Sequence, residues 1–308
     1  MNLLRASLFG LLLAALAACD GLSPGASDTT KPKPSVTQPS GQSAALTAYY
    51  ADVQQDLLAR GLLRTDGGGP DTPYTPDMLA RNFEQIAFFD EYVRGAGLRK
   101  SSGGAGQLGR WSRPVRVALE FGNSVPNAQR SQDQADVSAY VQRLAGVTGH
   151  SISMSSTRAN FHVLVMGEDD KAQLETRLRQ LIPNAGNSTI RVFTNPPRDI
   201  HCLVAAFPSG GNNNDYGQAV ALVRSEHPDL LRKTCYHEEI AQGLGLANDS
   251  PNARPSIFND DDEFALLTTH DEALLSMLYD PRLAIGMTLT EARPVINLMA
   301  REKAGRLY

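Results

Sequence analysis

The segment from Pro228 to Leu244 reads as one helix, and the residues that end it constrain this chain more than any other feature. Glu238 and Gln242 lie four residues apart and share a helix face, with Glu239 beside them at the edge of the same cleft. Gly245 permits a left-handed ending, so the chain can reverse and bring Asn248 back toward the helical pair. One helix and one turn thereby supply the mechanics of a three-ligand metal site made of Glu238, Gln242 and Asn248. Glu239 would then be the base that activates a metal-bound water.

The donor chemistry tempers that expectation. Zinc prefers imidazole or thiolate, so one carboxylate and two amides would hold it weakly. A harder ion such as calcium suits oxygen donors better but asks for more of them. Three readings stay open: a metal-free hydrogen-bond network with no cofactor, a weakly held zinc or calcium ion, and a working hydrolase. His237 has no second histidine at helical spacing and is expected on the helix surface.

Written as EExxQxxGxxND, residues 238–249 resemble the HExxHxxGxxHD motif of the metzincin zinc proteases. Glu239, Gly245 and Asp249 match it, while Glu238, Gln242 and Asn248 stand where the histidines would be. Pro255-Ser256-Ile257-Phe258 falls where that family places a methionine turn, with Phe258 or Ile257 in place of the methionine. The stretch from Leu267 to Tyr279 is similar to the closing helix of matrixin-like members. The resemblance implies an α+β, zincin-like fold with a mixed sheet, an active-site-type helix and a mostly helical C-terminal lobe. It gives Gly245 and Asp249 structural work, in the turn and in a buried hydrogen bond. Residues from Cys235 to about Pro294 also resemble a proteobacterial lipoprotein family held as a domain of unknown function. With every imidazole replaced, the implied role is a pseudoprotease-type binding domain for an envelope protein or peptide. The alternative is a peptidase that uses unusual ligands.

The N-terminus supplies an address. A short basic start precedes an apolar run from Ala6 to Ala18 that is too short to span a bilayer and fits a signal-peptide core. Leu16-Ala17-Ala18-Cys19 resembles a bacterial lipobox, which implies acylation of Cys19 and a membrane partner for its acyl chains. The other reading is an ordinary signal peptide. Asp20 hints at retention in the inner membrane, and the folded part would face the periplasm. With Cys19 lipidated, Cys202 and Cys235 remain, either as a disulfide suited to an exported compartment or as two core thiols. The chain is acidic overall, with a net charge of −4, and has no basic stripe with interleaved aromatics, so nucleic acid is not an expected partner.

The expected organisation is a signal peptide over 1–18, a lipidated tether rich in Ser, Pro and Lys over 19–43, a helical segment with a glycine-rich loop over 44–110, and the metzincin-like domain over 111–308. Helices are predicted at 45–60, from Pro76 to Gly95, at 134–144 and at 171–182. Strands are predicted at 115–121, 161–166, 189–193, 202–207 and 218–223, the last two as an antiparallel pair. Gly104, Gly106 and Gly109 spell a dinucleotide pattern, but no strand precedes it and Arg110-Trp111-Ser112-Arg113-Pro114 follows in place of a helix. The acidic run Asn259 to Glu263 lacks the glycine of a calcium loop and is expected to be solvated.

Overall fold

The computed structural model describes residues 38–69, 72–90, 101, 103–259 and 261–304. Cys19, Asp20, the expected signal peptide and most of the tether lie outside them. The second helix, expected to run to Gly95, ends at Phe88, because Phe89 already has extended backbone.

The fold is built on a strand that had to be central. β3 (Phe161–Met166) is buried at every position and pairs in parallel with β1 (Val115–Phe121) on one side and β5 (Tyr216–Arg224) on the other. β2 (Ile152–Met154) adds in parallel outside β1, and β4 (Cys202–Pro208) adds antiparallel outside β5. The five-stranded mixed sheet therefore runs β2-β1-β3-β5-β4, with β4 at an edge.

Side chains alternate between the two faces, as strand geometry requires. Phe161, Val163, Val165, Ala219, Ala221 and Val223 enter the larger core. That core is closed by α2 (Pro76–Phe88), α3 (Asn127–Thr148), α6 (Asp229–Gly243), α7 (Thr269–Leu278) and α8 (Leu289–Ala304). Leu164, Met166, Val220 and Leu222 face the other way, toward α4 (Lys171–Leu181) and α5 (Asn187–Thr194). α1 (Gly41–Ala59) buries Tyr50 and Leu57. The helix ends follow from local chemistry. The Ser40, Thr75 and Thr268 side chains accept from Ser43, Met78 and Asp271 backbone N–H groups, and Gly149 ends α3 at φ +64°. Among the described residues, no helix is long and apolar enough to cross a membrane.

The structure corrects three expectations of local structure. Residues 189–193 belong to helix α5, where Ile190 and Phe193 sit three apart and bury one face. The short β-branched run reads as a strand in isolation, but Gly186 starts a helix there. The helix over Thr269–Leu278 is not the last, because α8 follows it and packs on α2 and α7. Glu263 is not part of a solvated run, since it pairs with Arg254 and Arg64.

Candidate functional site

Helix α6 is held at a fixed height beneath β4. Leu231, Cys235, Tyr236, Ile240 and Ala241 bury its inward face. Cys235 is bonded to Cys202, the first residue of β4, with Cα atoms 5.8 Å apart, so the pair is a disulfide. At the far end, two carbonyls that a helix terminus leaves without internal partners are satisfied by side chains. Trp111 Nε1 donates to Gly243 O at 2.9 Å and Tyr279 Oη donates to Leu244 O at 2.9 Å.

Gly245 lies at φ +129°, where its backbone passes close to the Gly109 carbonyl, so both its conformation and the space admit only glycine. The chain reverses there, as the spacing predicts. The residue that returns to the helix is Asp249, which accepts from Gln242 Nε2 on Oδ1 at 2.9 Å. Asn248 turns away and donates to Gln85 O of α2 at 2.9 Å. The expected trio of Glu238, Gln242 and Asn248 is therefore not assembled. Leu246 is fully buried, and anchoring it inward sets the register of the residues after it.

His237 is likewise not a surface residue. It falls on the same face as Ile240 and Ala241, is 5 % exposed, and stacks on Tyr140 with ring centroids 3.9 Å apart. Its Nδ1 accepts from the Leu267 N–H at 3.0 Å, and Tyr140 Oη donates to its backbone carbonyl at 2.7 Å. Burial holds its pKa down to about 3, so the ring is neutral and its role is in the core.

Beneath the cleft, Phe258 is wholly buried and Ile257 lines the cavity floor. Asp271 pins this turn from the start of α7. Its carboxylate accepts from Ser256 Oγ at 2.6 Å and Ile257 N at 3.1 Å, as well as from Thr268 N at 2.9 Å.

The cavity itself encloses about 1070 Å³ and wraps around β4, reaching both faces of the strand. Glu238, Glu239, Gln242 and Asp249 line it from the α6 side, and Glu239 is only 3 % exposed. Its opposite wall comes from α5 and from the turn before it, through Ile182, Ala185, Val192 and Phe193. No sequence signal announces this space, because it is assembled from four separate segments.

Two histidines that look unrelated in sequence meet beside the disulfide. The rings of His201 and His227 lie 5.8 Å apart, with Tyr50 of α1 at 5.7 Å from the first and 4.3 Å from the second. His227 Nδ1 is 3.7 Å from Cys235 Sγ, and burial pushes the His227 pKa far below its usual range. The Cys202 to Val223 register of the antiparallel pair is what brings these positions together.

Cys202 Sγ and one oxygen each from Glu238 and Glu239 lie within 4.8 Å of one another, the closest approach to a ligand cluster among the described residues. The sulfur is bonded to Cys235 and offers no thiolate. With Asn248 engaged by Gln85, two carboxylates and the Gln242 amide remain. That donor set fits a zinc ion poorly, because zinc sites combine carboxylates with imidazole or thiolate and neither is offered here.

Fold and site together define an α+β domain with an open-edged mixed sheet and an acidic cleft under that edge. The chain belongs to the family described as "Protein of unknown function (DUF2927)", whose model matches residues 76–298. No curated protein and no solved structure matches the chain.

Proposed function

We propose that this protein is a lipid-anchored domain of the cell envelope that binds an extended stretch of polypeptide along β4 without cleaving it. The observation that carries this reading is a seven-residue edge strand bordered by a cavity of about 1070 Å³. Such an edge presents a row of backbone N–H and C=O groups to any extended chain that can lie beside it. Cys202–Cys235 fastens the start of that edge to the helix that forms the cleft wall. A metzincin-like core is supported by α6, the Gly245 turn and the Gln242–Asp249 hydrogen bond. Loss of the imidazole ligands supports the pseudoprotease form of that core. Residues 1–18 serve as the signal peptide, Cys19 carries the acyl chains, and the tether to a periplasm-facing domain is shorter than the expected 19–43, because Ser40 caps α1 and Ser43 is already buried in it. The helical segment that precedes residue 111 starts at Gly41, and its α2 is part of the same core as the sheet.

Labelled extended peptides N-methylated at alternate amides test strand addition. Methylation in the register that faces β4 abolishes the anisotropy change, and methylation in the other register leaves it. Equal binding of both peptides rules out pairing with β4.

A second reading is a metal-dependent peptidase with Glu239 as base, drawn from the closeness of the Glu238 and Glu239 carboxylates. Hydrolysis of a bound peptide that disappears in Glu239→Gln, with folding intact, would establish it in place of the binding module.

A further inference from the structure

The disulfide that fastens β4 to α6 sits beside a histidine with almost no hydrogen-bond partners. His227 is 2 % exposed, and its Nε2 has no partner among the described residues. The polar contact of its Nδ1 is Cys235 Sγ at 3.7 Å, and a sulfur is a weak partner. A buried ring left in this way costs free energy, so the arrangement asks for a reason. Metal geometry supplies one. With zinc–sulfur and zinc–nitrogen bonds of about 2.3 and 2.1 Å, two donors of a tetrahedral site stand about 3.6 Å apart. Burial also keeps the His227 ring neutral, which is the form that ligates a metal. Cys235 is 1 % exposed and held in α6, whereas Cys202 is half-buried and lines the cavity, which gives its side chain room to turn.

We propose that the reduced form of this protein binds one zinc ion through Cys202 Sγ, Cys235 Sγ and His227 Nδ1, at a site that exists only once the disulfide is opened. None of the three belongs to the 238–249 motif. Two thiolates and an imidazole are a donor set that selects zinc over calcium or magnesium. The thiolates also balance the charge of the ion, which matters because Arg224 and Arg232 act on His227. The opening step is exchange with a dithiol reductant. A thiolate of the reductant attacks Cys202 Sγ, and the Cys202–Cys235 bond breaks with its electron pair leaving on Cys235. The second thiol of the reductant then displaces Cys202 from the mixed disulfide, and the reductant departs oxidised. Zinc takes up the two sulfurs, and their two protons go to solvent. The fourth position falls toward the cavity, where oxygens of Glu238 and Glu239 lie within 4.8 Å of the Cys202 sulfur. Both carboxylates have partners of their own in the fold, and the site does not depend on them. Zinc would then hold the start of β4 to α6 in place of the covalent bond.

The test dialyses the full chain against zinc chloride, both oxidised and after reduction by a phosphine, and measures bound metal by elemental analysis. The reduced chain should hold one zinc ion more than the oxidised chain. Cobalt(II) in place of zinc should give a thiolate-to-metal charge-transfer absorption that is lost when Cys202 and Cys235 are both changed to serine. His227→Gln reaches the Nε2 position but offers no donor at Nδ1. It should weaken zinc binding by about tenfold or more, since even the partners that support a ligand are worth that much. Circular dichroism of the metal-free reduced chain covers the case in which reduction unfolds it, and added zinc should then restore the fold. Zinc that neither binds a folded reduced chain nor restores an unfolded one would overturn the inference. Equal zinc in the oxidised and reduced chains, or binding that His227→Gln leaves unchanged, would overturn it as well.

Discussion

The sheet has two edges, and they are built to opposite ends. β2 is three residues long, pairs only with the first part of β1, and is covered by α3. Just beyond it Ser155 N donates to Val117 O at 2.8 Å, so the chain closes over what β2 leaves open. β4 is seven residues long, half-buried along most of its length, and borders the cavity. Natural sheets blunt their edges by shortening or covering them, because a long open edge recruits other chains. One edge of this sheet follows that rule and the other departs from it. The departure lies beside the carboxylates of α6, and the proposed peptide site makes use of it.

The largest expected effect is that of acid on the core beneath β4. His237 has a folded pKa of about 3 against an ordinary value of 6.5, so only the unfolded chain takes up a proton between those values. Stability is therefore lost as pH falls from about 6.5 to 3. His237→Asn keeps an acceptor for Leu267 N, and its denaturation free energy should be flatter across that window. Glu120 behaves in the same direction at lower pH. Burial raises its pKa, but hydrogen bonds from His162 and Arg177 outweigh this and bring it to about 2 from an ordinary 4.5. Its contribution is complete above about 4.5 and disappears as pH falls through 2. Glu120→Gln should flatten only that lower window.

Removing the disulfide comes next. Changing Cys202 and Cys235 to serine together should cost about 4 kcal/mol in urea denaturation, from the loop of 33 residues they close. The same change frees the start of β4 and should weaken peptide binding.

Paired glycine substitutions sharpen the contrast between the edges. A methyl at Gly243 would meet the Phe161 ring and lie 3.2 Å from Val204 of β4. Gly243→Ala should destabilise by about 1–3 kcal/mol and alter binding, because α6 must move relative to β4. A methyl at Gly146, in the helix that covers β2, would meet nothing within 4 Å. Gly146→Ala should stabilise by about 0.5–1 kcal/mol with no change in binding. Smallest of all, Ser153→Lys at the exposed position of β2 should change stability by no more than about 0.5 kcal/mol.

Legibility in the sequence follows the range of the forces involved. β3 and the β4–β5 pair are readable because apolar runs and the Gly-Asn-rich loop between the last two are local signals. Helix α6 and the Gly245 reversal are readable for the same reason. The disulfide is one of two readings that a count of cysteines allows, and the Cys202–Cys235 bridge decides between them. His237 is misplaced by sequence reasoning because its burial depends on Tyr140, nearly a hundred positions upstream. Asn248 is exchanged for Asp249 because the register after Gly245 is set by where Leu246 packs, which is a tertiary event. The cavity is invisible for a related reason, since β4, α5, α6 and the 257–264 segment contribute to it separately.

Amide hydrogen exchange with and without a bound extended peptide tests the central claim most directly. The account predicts new protection at alternate amides within Leu203–Phe207, with the exchange of Ile152–Met154 in β2 unchanged. Peptide binding that leaves every β4 amide exchanging as before would contradict it.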